Sequence, residues 1–242
     1  MQSVYDNLSN IFRSVYNRRI RTPAVLDKDR YFPGHRKFTD NWLAIRTECL
    51  QVMQNLQAVP EFHQLMHAQA PLSEYGGRYW RVFVLKAYGV AHQANQAKCP
   101  VTADLIGANP AIQSATFSFL EGGKHLPAHR GPFRGVLRYH LGLVIAKDMH
   151  GASSNRFRIN GKYYSLVEGD GLLWDDTFEH EVWNTAPSVR AALLIDVLRP
   201  EMPRTLHYLT RLIIFLVALS IRLRGTLREV PVELHTGRSS VP

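Results

Sequence analysis

A chain of 242 residues, 45% hydrophobic, holds one domain with extensions around a sizeable core. Its two cysteines, Cys49 and Cys99, form no metal or redox motif, which leaves inert buried thiols as their reading and permits a cytosolic setting. The formal net charge of +9, with arginines crowded towards both ends, points to an anionic surface; no aromatics interleave with a basic stripe, which argues against nucleic acid.

From the start, Met1-Gln2-Ser3 leads into a mixed helix without an apolar core, so no signal peptide is expected. Val4, Tyr5, Leu8, Ile11, Phe12, Val15 and Tyr16 recur at helical spacing, with Arg13, Arg18, Arg19 and Arg21 towards the C-terminal end. Two readings fit: a docking helix with a dipole-matched basic end, or a helix lying on an anionic membrane. Thr22-Pro23 ends it. A second helix is expected with Thr39 as its N-cap and Trp42, Ile45, Cys49, Val52, Met53 and Leu56 on its buried stripe; Pro60 stops it. A shorter helix is expected over 61–68, and another over 100–106. These elements predict an N-terminal helical extension over residues 1–75, ahead of a domain over 76–200.

From Ser114 to Val197 the apolar residues come in short runs punctuated by Gly, Pro, Asn and Asp. That is the pattern of many short strands joined by turns. Strands are predicted at 79–86, 115–120, 137–145, 156–159, 162–166, 171–174, 180–183 and 190–197, and Asn160-Gly161 predicts a type I′ hairpin. The spacing suits a mainly β fold, a sandwich or small barrel of the jelly-roll type. Period-two geometry puts Arg138 and His140 on one strand face with Gly142. Charged groups facing inward there are costly unless an anion meets them, and the same holds for Arg190. The pattern leaves two answers open: an internal salt bridge to Asp176, Glu179 or Asp196, or a bound anionic ligand.

His129 and His180 fall at strand ends about fifty residues apart. Spacing leaves them open as structural histidines or metal ligands. A non-haem iron site commonly adds a carboxylate, and here Gly131 stands two residues past His129 where that carboxylate would come.

Beyond the β region, Leu212, Ile213, Ile214, Phe215, Leu216 and Val217 belong to the most apolar run, bounded by Arg211 before and Arg222, Arg224 and Arg228 after. It is short for a bilayer span, which needs about 20 apolar residues. A helix lying in the membrane plane, core packing and a true span all remain, the first being the best fit. Residues 201–242 are therefore expected to be an apolar helix and a polar tail, contacting the cytoplasmic side of a membrane.

Several motifs occur together and in order: His-Arg-Gly-Pro at 129–132, Leu-Arg-Tyr-His-Leu-Gly-Leu at 137–143, Trp-Asp-Asp-Thr-Phe-Glu-His-Glu-Val-Trp-Asn at 174–184, then Arg190. Across 79–200 the chain resembles the aspartyl/asparaginyl β-hydroxylase family of iron(II)- and 2-oxoglutarate-dependent dioxygenases. The resemblance implies a double-stranded β-helix, cupin-like, with His129 and His180 as iron ligands. It implies that Ser118, Arg138, His140 and Arg190 bind the cosubstrate 2-oxoglutarate, and that Asp176 orients a metal-bound water. O2 is the second cosubstrate. The His-x-Gly form is similar to the animal aspartyl hydroxylases, whereas Arg130 and the Leu-Arg-Tyr-His-Leu run look closer to bacterial lipid A acyl-chain hydroxylases. The substrate implied is thus either an aspartyl-type group or a lipid acyl chain; a non-catalytic 2-oxoglutarate-binding barrel at a membrane surface is the alternative.

If water fills the place of the missing carboxylate, Gly131→Asp should still bind iron. Replacing either His129 or His180 by Ala is expected to abolish turnover and to weaken iron binding ~10-fold or more, which anaerobic iron titration measures.

Overall fold

The computed structural model describes residues 10, 11 and 13–225. Its centre is a pair of antiparallel sheets. The larger runs in the order β2-β1-β3-β10-β5-β8, from β1 (Trp80–Ala87), β2 (Val90–Ala91), β3 (Ile112–Leu120), β5 (Val136–Val144), β8 (Gly171–Trp174) and β10 (Arg190–Leu198). The smaller runs β4-β9-β6-β7, from β4 (His125–His129), β6 (Asn155–Ile159), β7 (Lys162–Ser165) and β9 (His180–Asn184). This is the jelly roll that the punctuated runs predict, and the double-stranded β-helix that the resemblance implies.

The larger sheet is covered on both faces, which explains why β10 reads as almost unbroken apolar sequence. Ala191, Leu193, Ile195 and Val197 join Phe117, Phe119, Tyr139 and Leu141 in a core closed by helix α1 (Trp42–Met53). The alternate residues face the smaller sheet, where Trp80, Val82, Leu120, Trp174 and Ala192 meet Phe157, Ile159 and Val182. Helix α2 (Pro100–Gly107) is tied to α1 by Glu48, whose carboxylate accepts from the Val101 and Thr102 amides at 2.7 and 3.0 Å. Two otherwise orphaned N–H groups of α2 are satisfied in this way. Asn160 and Gly161, with φ of 48° and 79°, make the tight turn between β6 and β7.

Several expectations shift. Thr39 is not the N-cap of α1: it lies inside a separate short helix, His35–Asp40, and Asn41 precedes α1. β4 has no counterpart among the predicted strands, because Pro127 interrupts its pattern. As an edge strand it tolerates a proline, and its pairing with β9 shifts register between Leu126 and His129. The 61–68 helix shortens to Phe62–Leu65 followed by a 3₁₀ turn, His67–Gln69.

Of the N-terminal stripe, Val4, Tyr5, Leu8 and Phe12 lie outside the described residues. Tyr16 is fully buried whereas Ile11 and Val15 are exposed, so the stripe is divided between core and solvent. The polar tail expected at the C-terminal end also lies outside the described residues.

The C-terminal run is part of one helix, α3 (Arg204–Arg224), long and apolar enough by length and composition to cross a membrane. It packs one side against the domain through Leu206, Thr210, Ile214 and Ala218. Ile214 is therefore a core residue beside Tyr16 and Phe133, not a membrane contact. Ile213 packs partly against the same cluster, and Leu212, Phe215 and Leu216 stay more than half exposed.

Asp175 ties these parts together. It is completely buried and accepts from Arg134 Nε at 2.7 Å, from Arg199, and from its own loop at the Thr177 hydroxyl and amide. Arg134 follows β4, Arg199 follows β10, and both also reach Thr22 in the N-terminal segment. Removing one member of such a group strands the remaining buried charge. Asp175→Asn is expected to lower the unfolding free energy by ~3–5 kcal/mol, measured by urea denaturation.

Candidate active site

The site lies between the sheets and draws a different chemistry from each. The smaller sheet supplies the histidines. His129 ends β4 and His180 begins β9, directly opposite in the register, and their rings lie 4.1 Å apart between centroids. Each ring is oriented by its own backbone: Nδ1 of His129 lies 2.7 Å from the Pro127 carbonyl, and Nδ1 of His180 lies 2.9 Å from the Phe178 carbonyl. A carbonyl only accepts, so both Nδ1 atoms carry hydrogen and both Nε2 atoms keep a lone pair. Burial holds both rings neutral, pushing His129 down to about 4 and His180 well below the ordinary imidazole range. Two neutral imidazoles, each with a lone pair on Nε2, fit a borderline divalent metal such as iron(II). Among the described residues no third His, Cys, Asp or Glu joins them in a ligand cluster.

The larger sheet supplies a row of donors. Ser118 on β3, His140 on β5 and Arg190 on β10 share the face turned to the smaller sheet, and all three are buried. The Arg190 guanidinium donates to Asn155 Oδ1 at 3.1 Å and lies 3.4 Å from His140 Nδ1. No carboxylate pairs with it among the described residues, and burial alone lowers its pKa to about 9. The internal salt bridge left open by sequence is therefore not made at Arg190. A guanidinium can only donate, so His140 Nδ1 accepts and its Nε2 carries the hydrogen. Burial, and then the neighbouring Arg190, keeps His140 neutral. That Nε2–H has no partner, and neither does the indole N–H of Trp174, whose ring lies 4.3 Å from His140 and 6.2 Å from His180 between centroids. Ser118 accepts from Trp80 Nε1 at 3.0 Å. Among the described residues the lining thus offers N–H groups of His140 and Trp174 with no acceptor, beside an Arg190 guanidinium with no carboxylate partner. Buried donors in this state call for a ligand rich in acceptors, and a carboxylate fits.

Arg138 has a different setting. Its guanidinium grips Asp196 through Nε and Nη2 at 2.8 and 3.0 Å, and reaches Asp176 through Nη1 at 3.0 Å. Burial opposes its charge, but the two carboxylates outweigh that and raise its pKa. The salt-bridge alternative applies here, to Arg138, rather than to Arg190.

Asp176 stands where the absent carboxylate of a His-x-Asp motif would come. A Cβ built on Gly131 would lie 2.3 Å from the Asp176 carboxyl carbon, and the Gly131 amide donates to the Asp176 carbonyl at 2.7 Å. A side chain at 131 would thus meet the Asp176 carboxylate, so Gly131→Asp requires Asp176 to shift before it could bind iron as expected. Burial pushes the Asp176 carboxyl up to about 6, against the opposing pull of Arg138.

Asn155, Trp174, Arg134 and Arg199 were not singled out from sequence. Asn155 had a faint signal, a polar residue in alternation with the inward Phe157; the others depend on long-range contacts.

A family model described as aspartyl/asparaginyl beta-hydroxylase matches residues 39–200. An ornithine lipid ester-linked acyl 2-hydroxylase from Rhizobium tropici is 33% identical over 182 residues, covering 75% of this chain and 63% of that protein. The human aspartyl/asparaginyl beta-hydroxylase is 32% identical over 167 residues, covering 67% of this chain and 20% of that protein. The chain thus spans less than two thirds of the length of either relative. Among solved structures, a predicted oxalate decarboxylase from Thermotoga maritima is similar with a TM-score of 0.34 and 16% identity, over 52% of this chain and 88% of that one.

Gly131→Ala tests the crowding directly. It is expected to cost ~1–3 kcal/mol of stability, as overpacked sites do, and to weaken iron(II) binding by displacing Asp176. Thermal melts and anaerobic metal titration measure both. Unchanged values would mean that Asp176 moves aside freely.

Proposed function

Because the chain belongs to the aspartyl/asparaginyl β-hydroxylase family, we propose that it is an iron(II)- and 2-oxoglutarate-dependent hydroxylase acting on a lipid acyl chain at a membrane surface. One observation carries the reading: Arg190, a fully buried guanidinium, has no carboxylate partner among the described residues, in a site whose two paired histidines are held neutral with Nδ1 turned to backbone carbonyls.

His129 and His180 hold the metal. Iron(II) with 2-oxoglutarate and O2 supplies the oxidation: 2-oxoglutarate loses CO2 and takes one oxygen atom to become succinate, and the other oxygen enters a substrate C–H bond. Arg190 grips a carboxylate of the 2-oxo acid, its planar fork giving two parallel hydrogen bonds. His140 Nε2–H and Ser118 add hydrogen bonds beside it. Arg138, already paired with Asp176 and Asp196, orients Asp176 and contributes positive potential; direct contact with 2-oxoglutarate would have to compete with those carboxylates. Asp176, hard against Gly131, would orient a water on the metal when it is bound.

Two features favour an acyl chain over an aspartyl-type substrate. The relative from Rhizobium tropici is named for hydroxylation of an ester-linked acyl chain. The exposed face of α3 carries Tyr208, Leu212, Phe215, Leu216, Leu219 and Leu223, with Arg204, Arg211, Arg222 and Arg224 along it. An apolar face rimmed by arginines suits a helix lying in an anionic leaflet, here the cytoplasmic one, while the opposite face packs on the domain.

Succinate released from 2-oxoglutarate in the presence of iron(II) and membrane lipid, with one oxygen added to an acyl chain by mass spectrometry, tests the whole reading. Arg190→Lys should weaken 2-oxoglutarate binding by roughly 1.5–3 kcal/mol, about 10- to 150-fold. Arg190→Met should abolish that binding while leaving the melting temperature unchanged or higher, since an unpaired buried charge is removed. A variant that melts early yet binds 2-oxoglutarate normally would make Arg190 a structural residue.

A further inference from the structure

A cavity of about 650 Å³ opens between the N-terminal helical turns and the segments next to His129 and His180 in the chain. Arg13, Arg18 and Arg130 line it together with Asn10, Asn17 and Thr177, and no acidic residue lines it among the described residues. Arg130 follows His129 directly and Thr177 lies three residues before His180, so the cavity borders both ligand loops. Arg13 is held in place, its Nη1 donating to the Gly131 carbonyl at 3.1 Å and its Nη2 to Asn10 Oδ1 at 2.6 Å. Arg130 has a loose, exposed pairing with Glu179 at 3.6 Å. Asn17 Oδ1 is taken by Arg134 from behind. Three guanidiniums around one cavity, with amide and hydroxyl groups between them, form a site for oxyanions.

The same turns carry exposed Ile11 and Val15, and through buried Tyr16 they pack against α3, whose outer face is apolar. A polar, cationic hollow joined to apolar surface matches an amphiphile: charged head in the hollow, chain along the apolar side. We infer that this cavity binds the anionic headgroup, phosphate or carboxylate, of the acyl substrate and so fixes where along the chain the metal acts. The inference rests on the acyl-hydroxylase reading for its place in the reaction, but headgroup binding itself requires neither metal nor turnover.

The test uses the full, metal-free chain and calorimetry with short-chain lipids kept below micelle formation. Dihexanoylphosphatidylglycerol should bind at least ~10-fold more tightly than dihexanoylphosphatidylcholine, the scale of one charge-assisted hydrogen bond. Arg18→Gln and Arg130→Gln should each reduce that affinity by about 3- to 10-fold, and together erase the preference for the anionic lipid. Lys162→Gln, an equal change of charge at an exposed strand position, should not. Thermal melts of each variant verify folding. Equal affinity for the two lipids, a preference that survives in the double variant, or an equal loss in Lys162→Gln would overturn the proposal. Inorganic phosphate binding as tightly as the anionic lipid would make the cavity a soluble-anion site and would also overturn it. Failure of the hydroxylase reading would appear separately, as absence of succinate release.

Discussion

Asp175 is removed from water entirely, and the architecture of the site depends on how its charge is met. A lone carboxylate at that depth costs several kcal/mol, and two guanidiniums with a hydroxyl and an amide around it offset the loss. The partners come from after β4, from after β10 and from the loop before β9. One residue therefore sets the separation of the two sheets where the histidines emerge. It also recruits the N-terminal segment through Thr22 and Asn17, which places the cationic cavity against the ligand loops.

The inward-facing arginines divide according to the company they keep. Arg134 and Arg199 share Asp175, and Arg138 is held by Asp176 and Asp196. Among the described residues Arg190 meets an amide oxygen and an imidazole nitrogen but no carboxylate. A fold under selection for stability alone has no use for such a residue, since an apolar side chain of similar volume would do better. The unbalanced donor set around Arg190 is thus the mark of function, and it appears only when each of the other carboxylates has been traced to its own partner.

Much of this was legible in the sequence. Punctuated apolar runs and Asn160-Gly161 gave the strands and hairpin, and alternation put Arg138, His140 and Gly142 on one face. β4 was not legible, because Pro127 hides an edge strand that needs no amide there. The different settings of Arg138 and Arg190 were not legible either, since alternation reports a face and not the residue across from it. Asp196 stands opposite Arg138 in the β5–β10 register, whereas Arg190 lies beyond the end of that pairing. The crowding at Gly131 also escaped notice: a missing side chain reads as a vacancy, but the space was already taken by a residue forty-five positions later in the chain. Ile214 was assigned to a membrane because composition cannot tell which side of an apolar helix meets the domain.

The rings of His129 and His180 are each steered by the carbonyl two residues before them. That bond closes within a tripeptide, so the tautomer is chosen locally, without a remote partner. A ring already neutral at physiological pH, with its proton parked on the far nitrogen, has none to surrender when a cation arrives. Under the metal-binding reading proposed above, a cation arriving at these lone pairs would displace no proton from either ring.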